Sequence, residues 1–317
     1  MTGLPSSGPG VILGMTWVPD DTDPSRGDQC LLRVRGTDSP SDLVPAVGLS
    51  LNYRIGERPT RHCIGTSAPT RTGGGSIDCQ NPPQPGERVC VSCAVAEATL
   101  AGSLHHAHTK DRAELDRAVV DHLSQTNVLY LAGFRDGSVK VGTSTGRRKR
   151  VRWLEQGAWR VVEVATVDDG FAVRRLEDLV TEKLGLAQSV AVKRKLAGLA
   201  APLDDAALAA KLDHLVGEVH ALLALASDAE ATVTSREPWT FPGAGAPIWD
   251  RLLRYPSRLD AGAHDVRIEA MCGRVAVLAR PGDDGSRFVS DIGALYGIEL
   301  DLGDHRPDPL AVQDTLF

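Results

Sequence analysis

Residues 127 to 185 read NVLYLAGFRDGSVKVGTSTGRRKRVRWLEQGAWRVVEVATVDDGFAVRRLEDLVTEKLG, and this stretch decides the fold. Asn127 to Phe134 and Val139 to Ser144 are two short runs rich in β-favouring residues. Arg135-Asp136-Gly137-Ser138 joins them, a composition that turns a hairpin. Gly146 to Gln156 follows as a basic helix, with Ser144 or Thr145 as its N-cap and Gly157 just past its end. Trp159 to Val167 is a third apolar run, and Gly170 to Leu184 a second helix closed by Gly185. The pattern predicts an α+β domain over 111–200, built on an antiparallel three-stranded sheet with helices packed on it. Its first element is an amphipathic helix over 111–124.

At about 100° per residue, Val173, Leu176, Val180 and Leu184 form one apolar stripe on the second helix, and Glu177 falls inside it. Asp178 and Glu182 point the other way. A carboxylate among inward-facing apolar residues needs a cation or hydrogen-bond donors, because an unpaired charge is costly to desolvate. Arg150 or a metal ion would serve. Between Asn127 and Arg160 there are eight Lys or Arg against two acids, a local charge of +6 in a chain of net −6. A concentrated basic face on an acidic protein suits phosphate backbones. Arg147, Arg148, Lys149, Arg152 and Gln156 are the candidate nucleic-acid contacts, and Lys193-Arg194-Lys195 extends the face.

In this order of elements the residues resemble the GIY-YIG endonuclease superfamily. Tyr130 in Leu129-Tyr130-Leu131 matches the first triplet, and Lys140-Val141-Gly142 the second. Arg150, eight residues beyond Gly142, takes the place of the arginine on the first helix, and Glu177 that of the acid on the second. The resemblance covers about a fifth of the chain; Lys140 stands where the family has its second tyrosine, and no asparagine follows the second helix. It implies a phosphodiester hydrolase in which Glu177 holds a Mg²⁺ or Mn²⁺ ion and Arg150 steadies the charge developing on the phosphate. The proton of the attacking water would go to Tyr130, or to Lys140 or a water it holds. A lysine serves as a base only where burial or neighbouring cations lower its pKa. More loosely, the cysteine-bearing front half and the run from Trp153 to Ala158 resemble a bacterial family of unknown function.

Four of six cysteines cluster in sequence: Cys63, Cys79, Cys90 and Cys93, the last two as Cys-Val-Ser-Cys. The Gly/Pro/Ser-rich stretch from Pro69 to Gly86 cannot bury a core, so a four-thiolate structural Zn²⁺ site is expected over 61–110, supplying folding energy that the loop lacks. His62, His105, His106 or His108 could replace a ligand. Val11 to Val18 lacks a basic leader and is too short for a signal peptide, which points to a reducing, cytoplasmic setting and away from disulfides.

The remainder of the 317 residues, 42% hydrophobic, is long enough for one large or two to three modest cores. Residues 1–60 read as a small β unit, and 201–304 as a long Ala/Leu helix capped by Asp204-Asp205 followed by another small antiparallel β unit. No run approaches a membrane span, and no dinucleotide or phosphate-loop fingerprint occurs. The tail over 305–317 ends in Gln313-Asp314-Thr315-Leu316-Phe317, a pattern that resembles the short peptide by which bacterial repair and replication proteins dock on the DNA sliding clamp. Gln313 would anchor the backbone while Leu316 and Phe317 fill a groove. Taken together, the sequence predicts a metal-dependent, structure-specific DNA endonuclease or nickase of repair or replication. The alternatives are a catalytically silent nucleic-acid-binding protein and an adaptor.

Overall fold

A computed structural model describes residues 4–19, 27–36, 39–70, 73–105, 107–115, 117–225, 231–234, 238–282 and 285–309. The tail motif with Gln313, Leu316 and Phe317 lies outside them. The fold is mixed α+β with antiparallel sheets and, among the described residues, six α-helices. None of these helices is long and apolar enough to cross a membrane. The chain divides into two compact units, residues 1–96 with 246–317, and residues 97–245.

The first unit begins with strands β1 (Gly8–Val18), β2 (Gln29–Gly36), β3 (Asp42–Pro45) and β4 (Ser50–Ile55). A two-stranded ribbon follows, β5 (Thr66–Thr70) with β6 (Gly73–Ile77), and then helix α1 (Val91–His105), within which the division between the units falls after Ala96. The second unit contains α2 (Arg117–Leu123), β7 (Asn127–Gly133), β8 (Val139–Thr145), α3 (Lys149–Gln156), β9 (Arg160–Val167) and α4 (Gly170–Leu184). It ends with α5 (Val192–Ala200), α6 (Asp205–Leu225), β10 (Ala231–Val233) and β11 (Trp239–Thr240). The chain then returns to the first unit with β12 (Leu253–Arg254), β13 (Gly262–Cys272), β14 (Val275–Ala279), β15 (Phe288–Asp291) and β16 (Glu299–Leu302).

The two terminal β regions, read separately from sequence, join in one nine-stranded sheet of order β12-β15-β14-β13-β4-β16-β1-β2-β3. The longer strands carry a local signature. In β4, Leu51, Tyr53 and Ile55 are buried and alternate with more exposed residues, the period-two signature of a sheet with one face covered. The pairings of β16 with β1 and of β13 with β4 are what unify them. Such contacts between distant segments satisfy strand edges that would otherwise expose unpaired backbone groups, and no local pattern announces them.

In the second unit β7 is the central strand, buried at every residue, between β8 and β9 in a sheet that β10 extends and β11 joins at β9. The hairpin turn is held as its composition requires: Asp136 accepts a hydrogen bond from the Ser138 amide at 3.0 Å. Asp169 caps α4 by accepting from the Phe171 amide, and Gly157 and Gly185 end α3 and α4 in the left-handed conformation. Asp204 caps α6 through the Ala206 and Ala207 amides. Two expectations need correction. Ser144 and Thr145 lie in β8 rather than capping α3, which starts only after the turn Gly146–Arg148 with Arg148 at its N-cap. The amphipathic helix over 111–124 is a short 3-10 turn, Arg112–Glu114, followed by the seven-residue α2.

Candidate functional sites

Tyr130 stands at the middle of β7, opposite Gly142 of β8 on one side and Glu163 of β9 on the other. Its fully buried ring lies across Gly142: a Cβ built there would meet Tyr130 Cζ and Oη at 2.7 Å. Glycine is therefore required at 142 for the phenol to lie flat over β8. Gly142→Ala is expected to destabilise the protein by about 1–3 kcal/mol, as overpacking does, and to displace the ring. Denaturant unfolding of the variant checks this, and unchanged stability would refute the placement.

The Tyr130 hydroxyl donates to Gln156 Oε1 at 3.3 Å, and its ring packs edge-on against Trp153. Arg152, exposed on the same helix, lies near enough to act on this hydroxyl by its charge. Trp153 and Leu154 are the buried residues of α3, and Gln156, one turn after Trp153 and Arg152, closes over the hydroxyl from the helix's last turn. Burial raises the Tyr130 pKa, against the opposing pull of Arg152, so the phenol keeps its proton. Arg150, the arginine chosen by spacing from sequence, lies about 200° around the helix from Arg152 and is half-buried.

Lys140 is 6% exposed on β8. Its Nζ donates to the Gln188 carbonyl at 2.9 Å and lies 5.9 Å from the Tyr130 ring centroid. Burial pushes its pKa down to about 8; Arg152, Lys195 and Arg174 push in the same direction, and Glu177 opposes them. Glu177, 5% exposed on α4, accepts from Thr143 Oγ1 at 3.2 Å and from Arg174 at 3.0 Å, both on Oε2. The inward stripe read from the sequence is therefore where Glu177 lies, and the cation beside it is Arg174, one helical turn away. Lys195 completes the basic surround, donating to the Gln156 carbonyl at 2.6 Å.

Tyr130, Lys140, Gly142 and Glu177 are thus brought together, with Arg152 close enough to act on Tyr130 and Lys140, while Arg150 is half-buried one turn before Trp153 and Leu154. Sequence reading missed Arg174, whose signal was its three-residue spacing from Glu177, and had Lys195 only as an extension of the basic face, since no local pattern ties it to the site. Of the other basic residues, Arg147 is exposed, Arg148 pairs with Glu155 at 3.3 Å, and Lys149 pairs with the buried Glu163.

The first unit holds the other site. Cys63, Cys79, Cys90 and Cys93 place their sulfurs within 4.8 Å of one another and could hold a metal ion such as zinc. Cys79 and Cys90 Sγ are 3.7 Å apart, close to the ~3.8 Å that a tetrahedron of ~2.3 Å Zn–S bonds produces and far beyond the ~2.05 Å of a disulfide. All four are free thiols. The Gly65 amide donates to Cys63 Sγ at 3.4 Å and the Cys90 amide at 3.2 Å. Gly65 has φ +77°, and a Cβ there would strike the Ile77 carbonyl. The Cys93 amide holds the Cys90 thiol down to about 6, whereas burial raises Cys79 and Cys93. His62 is turned to Glu299 at 2.9 Å, and His108 to Asp178 at 2.9 Å. The side chains of His105 and His106 lie outside the described residues.

The family described as "Protein of unknown function (DUF2797)" matches residues 74–248, more than half of the chain. The chain belongs to this family. The DUF2797 match takes in Tyr130, Lys140, Arg152 and Glu177 with three of the four cysteines; Cys63 precedes it. No curated protein and no solved structure matches the chain.

Proposed function

We propose that the protein is a phosphodiester hydrolase of DNA, a structure-specific endonuclease or nickase, with Zn²⁺ held by Cys63, Cys79, Cys90 and Cys93 as a structural ion. The observation that carries the reading is the buried Lys140 amine, its pKa lowered to about 8, held beside Tyr130 among Arg152, Arg174 and Lys195 with one buried carboxylate, Glu177. So many cations around one carboxylate leave a surplus of positive charge that an entering phosphate would neutralise. The GIY-YIG-like order of tyrosine, glycine, helix arginine and helix glutamate supports the same chemistry.

Lys140 in its neutral form takes the proton of the attacking water, since Tyr130 remains protonated and serves to orient that water. Arg152 donates to the non-bridging phosphate oxygens, where a planar fork of donors fits. The bond to the leaving oxygen breaks as the new P–O bond forms, and that oxygen takes a proton from solvent. Glu177 keeps an oxygen, Oε1, that receives neither the Thr143 nor the Arg174 hydrogen bond. It fits a divalent cation completed by phosphate oxygens and water. A bound Mg²⁺ or Mn²⁺ would stabilise charge on the leaving oxygen. The Gln313 to Phe317 sequence supports recruitment to the DNA sliding clamp.

The pairing of Arg174 with Glu177 favours a second reading, a groove that binds nucleic acid without cutting it. Purified protein, Mn²⁺ and a panel of branched and damaged oligonucleotides separate the two. The hydrolase nicks at least one substrate, and Arg152→Ala or Glu177→Gln lowers the rate by at least about tenfold, the scale of a lost electrostatic contact in the transition state. Arg150→Ala in the same assay tests the arginine that the GIY-YIG resemblance points to. Binding without nicking across the panel leaves the second reading.

A further inference from the structure

Strand β2 sends Arg33 and Arg35 from the face opposite Leu32 and Val34 toward the cysteine loops. Arg33 donates to the Ile64 carbonyl and pairs with Asp78 at 2.6 Å, so it grips the residue after Cys63 and the residue before Cys79. Arg35 donates to the carbonyl of Cys79 itself at 3.2 Å and lies 3.4 Å from His62 Nδ1, on the residue before Cys63. Two guanidiniums on one strand therefore hold the two cysteines that belong to no Cys-x-x-Cys pair.

The two differ in charge. Asp78 neutralises Arg33. Arg35 is 3% exposed, and among the described residues its partners are a carbonyl and an imidazole nitrogen, with no carboxylate. A guanidinium stays charged at any pH the protein meets, and burying that charge without a counter-charge is strongly unfavourable. Zn²⁺ with four thiolates would carry a net charge of about −2, and Arg35 holds the backbone of one of those four ligands, Cys79.

We propose that Arg35 is the counter-ion and outer-shell positioning residue of the metal centre, with Arg33 as its neutral-pair companion. The inference rests on the four-cysteine metal reading and goes beyond it by assigning the strand that tunes the ion. Outer-shell partners of ligating residues alter metal affinity by about 10–100-fold. In this protein the effect comes from charge as well as from holding Cys79.

The test uses the full chain as wild type, Arg35→Lys and Arg35→Gln, with Zn²⁺ affinity measured by chelator competition and the Co²⁺–thiolate absorption recorded on each. Lysine keeps the charge, and glutamine keeps a donor for the Cys79 carbonyl while removing the charge. The expected order is wild type, then Lys within a few-fold, then Gln weaker by about 10–100-fold, with the same Co²⁺ band shape showing intact ligation. Equal affinity in all three overturns the role of Arg35 alone. A wild-type chain that takes up neither Zn²⁺ nor Co²⁺ overturns the metal reading beneath it. If the glutamine variant does not fold, Arg35→Lys against wild type decides: affinity within a few-fold supports the counter-ion role, and a loss of about 10–100-fold in this variant, which keeps the charge, overturns it.

Discussion

Lys140→Met is expected to slow DNA cleavage by about 10²–10⁴-fold, the range of a lost general base, while DNA binding changes little. Methionine has the length to fill the Lys140 slot on β8 without a charge to desolvate, so the fold survives. The pH profile gives the sharper readout. With the amine's pKa lowered to about 8 by burial and by Arg152, Lys195 and Arg174, the wild-type rate climbs with pH through about 8 and levels above it. The variant has no step there. The same shift fixes a stability trend of definite sign. The unfolded chain holds this proton up to the ordinary lysine range near 10.4 and the folded chain releases it near 8, so the contribution to stability rises with pH across that window. Single-turnover rates on both sides of pH 8 check the first part and denaturant melts at the same pH values the second. A variant that cuts like wild type with an unaltered profile would remove Lys140 from the chemistry.

The second large effect concerns the cysteines. Cys90→Ser with Cys93→Ser is expected to abolish zinc uptake and to unfold the loop between β4 and α1, because a structural zinc contributes on the order of 10–16 kcal/mol of apparent binding free energy. That equals or exceeds the ~5–15 kcal/mol stability of an ordinary domain. Cys63 is tied to the same unit through its neighbours: the His62 amide donates to the Gly297 carbonyl at 2.7 Å, and the Glu299 amide to the Thr60 carbonyl at 3.0 Å. Metal loss should therefore raise amide exchange at β16 as well as at the cysteines, while β7 and β8 of the other unit stay protected. Hydrogen exchange of the variant, with zinc content measured on the same sample, reports both. A zinc-free variant with wild-type protection at β16 would show that the ion is dispensable for the fold.

Legibility followed the range of the interactions. The hairpin, the two helices after it and the buried place of Glu177 were readable because each rests on residues a few positions apart: Asp136 on Ser138, Asp169 on Phe171, and Glu177 within the stripe of Val173, Leu176 and Val180. The four cysteines were readable as a set because the chain between them has little else to fold on. How the arginines of α3 divide around the site was not readable: Arg152 acts on Tyr130 by its charge, and Arg150 is half-buried one turn before Trp153 and Leu154. Spacing from Gly142 measures chain length, whereas the face that α3 turns to the sheet depends on where the helix starts. That start follows a three-residue turn and is settled by Trp153 packing on Tyr130.

By itself the sequence determined the order of strands and helices from β7 to α4, the basic segment inside an acidic chain, the inward carboxylate and the thiol set, since these follow from backbone preference, hydrophobic period and residue chemistry over short distances. Only the tertiary structure decided that β1–β4 and β12–β16 share one sheet, that burial, aided by Arg152, Lys195 and Arg174, depresses the pKa of Lys140, and that Arg33 and Arg35 grip the cysteine loops. Those facts arise when segments far apart in the chain are packed together and water is removed between them. Burial and charge at a site belong to that packing, and no window of sequence contains it.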